Sequence, residues 1–222
     1  AAALGSFAAG WWQARAPAPV VVAPPLERLL VLPIGQPDGA DALGTALSAR
    51  LRDALGAIPG HAVVDGDRTL QALRQLDPDG NAKPEPEALR RIAAASRVLQ
   101  PELVHAGTRW RLQARLSGAG AAPQLLAGPQ APDPVSAVRG WTRAANTTRA
   151  LGLAPGAIVL AVPTAGEALS PYGAGLQARQ RGELAVAMRE FGAATAQAPE
   201  DPAAWLALAE TAYVPPMIAR SG

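Results

Sequence analysis

Arg109-Trp110-Arg111-Leu112-Gln113-Ala114-Arg115-Leu116 is the stretch on which the reading of the fold turns. Trp110, Leu112, Ala114 and Leu116 alternate with Arg109, Arg111, Gln113 and Arg115. A period of two is the signature of a strand with one apolar face and one wet face. The run 98–103 just upstream is a second strand candidate, and Ala106-Gly107-Thr108 supplies a turn between the two. The first element of the fold is therefore a β-hairpin.

Working outward, Leu29-Leu30-Val31-Leu32-Pro33-Ile34 is a continuous apolar run, as expected of a strand buried on both faces. Pro33 cannot donate to a ladder, so that strand is expected to end there or to lie at an edge. A helix is expected over 41–58. Asp41 is placed to cap it, Pro59-Gly60 to stop it, and Leu43, Leu47, Leu51, Leu55 and Ile58 form one apolar stripe. Arg50, Arg52 and Asp53 fall off that stripe and are expected in solvent. A short strand over 61–65 and two helices, over 68–76 and 87–96, fill the interval to the hairpin. The second of these helices would turn Leu89, Ile92 and Ala93 inward, and the first Leu70, Leu73 and Leu76. The expected order is strand, helix, strand, helix, helix, strand, strand. That is an α/β (α+β) domain, with a mixed sheet and flanking helices, over 27–116.

Composition bounds the rest. The 222 residues are 49% hydrophobic, enough for a core, but only 4% aromatic, so that core must be Leu, Val and Ala. The formal charge of +2 indicates a mixed surface rather than a nucleic-acid-binding face. Zero cysteines exclude disulfides, thiolate metal sites and cysteine nucleophiles, and leave the compartment open. Residues 1–12 are mostly small and apolar and end in Trp11-Trp12. Paired Trp is typical of the interfacial end of a membrane helix, which suggests a span cut short, since about 20 residues are needed to cross. Residues 13–26 carry Pro17, Pro19, Pro24 and Pro25 and are expected to be a stiff, extended linker.

Beyond 116, the Gly-, Ala- and Pro-rich stretch 117–134 is expected to connect to a helix over 135–151, with linker sequence continuing to 169. Helices are then expected over 171–180 and 183–198, joined at Arg181-Gly182. Gly175, Gly182, Ala187, Phe191, Ala194 and Pro199 occupy the small, turn and large positions of a tetratricopeptide hairpin, and a next unit starts at Asp201-Pro202. The C-terminal part over 170–213 is thus expected to be all-α, with 214–222 a tail broken by Pro215-Pro216.

Val31-Leu32-Pro33, Ile58-Pro59-Gly60, Ala62-Val63-Val64, Val98-Leu99 and the hairpin strand 107–116 together resemble the TolB amino-terminal-like domain. With tetratricopeptide repeats behind it, this arrangement is similar to the extracytoplasmic half of bacterial membrane signalling proteins. The outputs of such proteins are Ser/Thr kinases, nucleotide cyclases or winged-helix regulators. The resemblance implies a periplasmic sensor or scaffold region, held to the inner membrane by one N-terminal helix, that binds a protein or peptide and not nucleic acid. The alternative setting is a stand-alone factor of cell-envelope assembly. Homodimerisation is left open.

No residue set points to catalysis, a cofactor or a metal. His61 and His105, the two histidines, have no helical partner four residues away. A Ser48, His61 and Asp65 set lacks the strained turn that a nucleophile needs, and Asp77-Pro78-Asp79-Gly80-Asn81 lacks calcium-loop spacing. An enzyme would need loops at the strand ends, around 35–41 and 65–67, to build a pocket of perturbed groups. The candidates for partner binding are Arg109, Arg111 and Arg115, a basic strip suited to an acidic partner, together with Tyr172 and Trp205 in the helical part.

Overall fold

The computed structural model describes residues 27–35, 41–78, 85–163 and 166–213. Five strands form one mixed sheet in the order β2-β1-β3-β4-β5. They are β1 (Glu27–Val31), β2 (His61–Val63), β3 (Arg97–Ala106), β4 (Arg109–Gly118) and β5 (Ala121–Ala127). β1 lies between β2 and β3 and pairs in parallel with both, while β3, β4 and β5 are antiparallel. The hairpin falls where the alternation put it, with Leu99 opposite Leu116, Leu103 opposite Leu112, and Gly107 at φ +69° in its turn.

Pro101 lies in the middle of β3 opposite Ala114. Its carbonyl accepts the Gly35 amide at 3.0 Å, and the Leu99 carbonyl accepts the Leu32 amide at 2.9 Å. Residues two apart on a strand point to the same neighbour, so the missing N–H of Pro101 faces the chain just beyond the end of β1. The ladder skips that donor and resumes at Gly35, whose carbonyl accepts the Leu103 amide at 2.8 Å.

Helix α1 (Ala42–Gly56), capped by Asp41, packs on one face of the sheet. Leu47, Leu51, Ala54 and Leu55 are buried there against Val31, Leu99 and Leu103. Beside it, α4 (Pro134–Arg143) and α5 (Ala145–Ala150) close the same face over β4 and β5. Trp141 of α4 is fully buried, and its indole N–H donates to the Leu126 carbonyl at 3.0 Å. The opposite face is covered by α2 (Gly66–Leu76) and α3 (Pro86–Ile92) through a small cluster of Leu30, Leu32, Val64, Ala72, Leu89, Ala93 and Val98.

The last layer consists of α6 (Leu169–Gln180), α7 (Leu184–Gln197) and α8 (Pro202–Ala212). α6 and α7 form a helical hairpin turning at Gly182, φ +80°. A Cβ on Gly175 would stand 2.6 Å from the Phe191 ring, so only glycine permits that closeness between the two helices.

Several expectations are corrected. The sheet does not end at Leu116. The stretch 117–134 contributes β5, a sequence without alternation that is held by its register with β4 (Leu126 opposite Ala114). The single helix over 135–151 is two, because Ala144 takes an extended ψ of 131°. α3 ends at Ile92, four residues early, and Ala94 adopts φ 50°. In α2 the buried positions are Thr69 and Ala72, and Leu76 is exposed. Arg50 is buried, not solvated. The span expected over 1–12 and the linker over 13–26 lie outside the described residues. Among the described residues, no helix is long and apolar enough to cross a membrane.

Candidate functional site

The helical layer is bound to the sheet domain through α1. A Cβ built on Gly173 would fall 1.7 Å from the Ala42 carbonyl oxygen, so α6 lies directly on the first turn of α1. Gln177 donates to the Thr45 hydroxyl at 2.9 Å. At the far end of this contact the Arg50 guanidinium sits over the Tyr172 ring, 4.4 Å from its centroid, and forms a buried ion pair with Asp201. Asp201 also caps α8, accepting the Ala203 amide at 3.2 Å. One buried cation therefore ties α1, α6 and the start of α8 together. Removing either member of such a pair strands the other charge in a dry site.

This geometry disposes of Tyr172 as a partner-binding residue. Its ring is buried beneath Arg50 and against Phe191, with ring centroids 5.9 Å apart. Burial, reinforced by the nearby carboxylates Asp53 and Asp201 and opposed by Arg50, raises its phenol above the ordinary value. Tyr172 holds the layers together instead.

Trp205 is placed differently. It stands 51% exposed on α8, and its indole N–H is anchored to the Pro199 carbonyl at 2.9 Å. The ring is thus held in place across the α7–α8 corner. Around it, Leu206 is 60% exposed and Tyr213, at the end of the helix, 79%. Ala209 and Ala212 are exposed in the same outward rows. Positions 205, 206, 209, 212 and 213 recur at helical spacing, so they form one apolar stripe. The inward side of α8 is made of Ala204, Ala207 and Thr211, all buried. Among the described residues, α8 is therefore apolar on both sides and covered on one. Sequence reading found Trp205 but missed Leu206 and Tyr213. The signal was the high apolar content of 203–213, which exceeds what one buried side needs.

The three arginines share the face of β4 turned away from α1 and α4. Arg109 and Arg115 are exposed and Arg111 is half-buried. They lie on the same strand face as one another, and α8 is in a different layer, so the structure does not gather the five candidates into one site.

The loops that an enzyme would use are otherwise engaged where they are described. Asp65 caps α2, accepting the Asp67 amide at 2.8 Å. Arg52 lies over Gly66, and its burial lowers the guanidinium, with Asp53 and Asp65 opposing. Residues 36–40 of the other loop lie outside the described residues. His61 faces the Leu151 carbonyl at 3.3 Å, and His105 stacks on Trp110 at 3.7 Å between centroids. Among the described residues, no group of three or more His, Asp or Glu side chains is arranged to hold a metal ion. The clearest cleft, about 320 Å³, lies between α3 and the β4–β5 turn and is lined by Glu85, Glu87, Arg90, Ser117 and Pro123. Its main charged feature is the Glu87–Arg90 pair at 2.7 Å, in which that hydrogen bond lowers the carboxyl.

No protein-family model matches the chain, and no curated protein matches it. The TolB amino-terminal-like and tetratricopeptide resemblances therefore rest on the quoted residues alone. Among solved structures, the NMR structure of E. coli LpoB matches over 46% of this chain and 56% of that one, at 19% identity and a TM-score of 0.36. A likeness of this size identifies neither a family nor an activity.

Proposed function

We propose that the chain is a non-catalytic, partner-binding module of the bacterial cell envelope, and that a protein or peptide seats on the outer face of α8. The observation that carries this reading is the bare apolar stripe of Trp205, Leu206 and Tyr213 on a helix whose other side is fully packed. Trp and Tyr are the residues that most often anchor interfaces, because they bring large rigid area at low entropic cost. A contiguous exposed apolar patch on an otherwise packed protein marks an interaction surface.

Of the two settings, stand-alone envelope assembly is preferred to the ectodomain of a kinase, cyclase or winged-helix regulator. A surface for contact with a partner is what such a factor requires. Attachment to the inner membrane through residues 1–12, with the rest of the chain in the periplasm, belongs to the same proposal. The module needs no cofactor.

The test is capture from an envelope fraction by the immobilised chain, beside a Trp205→Ser, Leu206→Ser double variant. The reading expects a discrete partner, retained by the parent chain and lost from the variant. Equal retention by both, or no retention by either, would remove it.

A further inference from the structure

Among the described residues, the half of the sheet formed by β3, β4 and β5 is covered on one face only. On the other, α2 and α3 reach the start of β3, where Val98 is buried with Leu89 and Ala93, and the cover ends there. Beyond it the paired positions run Gln100 opposite Arg115, Glu102 opposite Gln113, and Val104 opposite Arg111, with Ala106 opposite Arg109. β5 adds Leu125 beside Arg115 and Ala127 beside Gln113. Leu125 is 60% exposed.

The charge on this face is one-sided. Glu102 is the one acid in the three strands, and it accepts a hydrogen bond from Gln113 at 3.4 Å. Seven ion pairs occur among the described residues, and Arg109, Arg111 and Arg115 are in none of them. The Nε of Arg111 is sealed from solvent and has no hydrogen-bond partner. An acceptor arriving from outside meets the remaining N–H groups of this half-buried side chain, not the sealed Nε.

We propose that this sheet face binds an acidic protein segment. Its carboxylates pair with Arg109, Arg111 and Arg115, and an apolar side chain packs on Leu125. The strand rise sets the Cα atoms of Arg109 and Arg111 about 7 Å apart and that of Arg115 about 13 Å further on. Carboxylates spaced along an extended chain match that separation. Two features favour protein over nucleic acid or lipid. The face offers no aromatic ring on which a base could stack, since Trp110 and His105 point to the other side. Leu125 and Val104 give it an apolar floor. The surface is separate from α8, and its fate does not depend on what α8 binds.

The experiment uses the full chain, labelled with ¹⁵N. It is titrated with a short Glu- and Leu-containing peptide, with oligo-dT and with phosphatidylglycerol vesicles, at low and high salt. The expected result is amide shifts confined to Arg109, Arg111, Gln113, Arg115 and Leu125 with the peptide, weakened by salt. Arg109→Gln with Arg115→Gln, both exposed and so neutral for folding, should lower that affinity about tenfold. Arg111→Lys, which keeps charge but loses the fork, should lower it in the same direction. No shift on this face, shifts confined to α8, or tighter binding of oligo-dT or vesicles would each overturn the proposal. Capture by the Trp205 surface is tested separately, by the Trp205→Ser, Leu206→Ser variant.

Discussion

α1 and α8 are both helices with apolar residues on two sides, and the molecule treats them differently. α1 has the sheet on one side, through Leu47, Leu51 and Leu55, and α6 on the other, through Ala42, Ala46 and Arg50. α8 has α7 on its inner side and nothing described over Trp205, Leu206 and Tyr213. A two-sided helix is stable in water only when each side finds a cover or tolerates exposure at a cost. The difference separates residues that hold the fold from residues available for contact.

The strongest way to break the comparison is to uncover α1. Asp201→Ala should cost about 3–5 kcal/mol, because it leaves the Arg50 cation unpaired in a dry site and removes the α8 cap. Urea unfolding of the purified chain measures it. A cost below about 1 kcal/mol would mean that the helical layer is not held through this pair. Next is Gly173→Ala, whose new methyl meets the Ala42 carbonyl. Separating α6 from α1 should cost about 1–3 kcal/mol by the same assay.

A smaller effect tests the cover on β4 and β5. The Ser136 amide holds the Asp133 carboxyl below its ordinary value at the start of α4, against the opposing effect of burial and with further help from the Ser136 hydroxyl. A depressed carboxyl contributes stability above its unfolded value and loses it as pH falls through the folded one. Asp133→Ala should therefore lower the melting temperature at pH 7 by the equivalent of about 1 kcal/mol. The gap between variant and parent should close below about pH 4. Smallest of all is Trp205→Ser, expected within about 0.5 kcal/mol of the parent, since an exposed position away from caps and core carries little of the fold.

Much of the sheet was legible because its signals are contrasts. β4 alternates Leu with Arg, and the first side of α1 repeats Leu every three or four residues. The second side of α1 gave no such contrast. Ala, Gly and Arg read as neutral or wet, and only the approach of Gly173 and the ring of Tyr172 make that side an interface. Arg50 was misplaced for this reason, and Tyr172 with it. β5 was hidden because Ala121-Ala122-Pro123-Gln124-Leu125-Leu126-Ala127 has neither period two nor a clean apolar run. It is a strand because β4 offers it a ladder, and an edge position tolerates Pro123. Of the candidate surfaces, the arginine strip and Trp205 could be read from sequence. Leu206 and Tyr213 could not, since only the packing of α8 shows which side is left over.

The comparison comes down to one matched pair of substitutions, Leu47→Ala on the covered helix and Leu206→Ala on the bare one, each followed by equilibrium unfolding of the full chain. Identical chemistry is removed from both. The expected result is a loss of about 3 kcal/mol for Leu47, as for a leucine deleted from a core, and a loss within about 0.5 kcal/mol for Leu206. Comparable losses at the two positions would show that the outer face of α8 is part of the fold's own packing, and would contradict its assignment as a surface kept free for a partner.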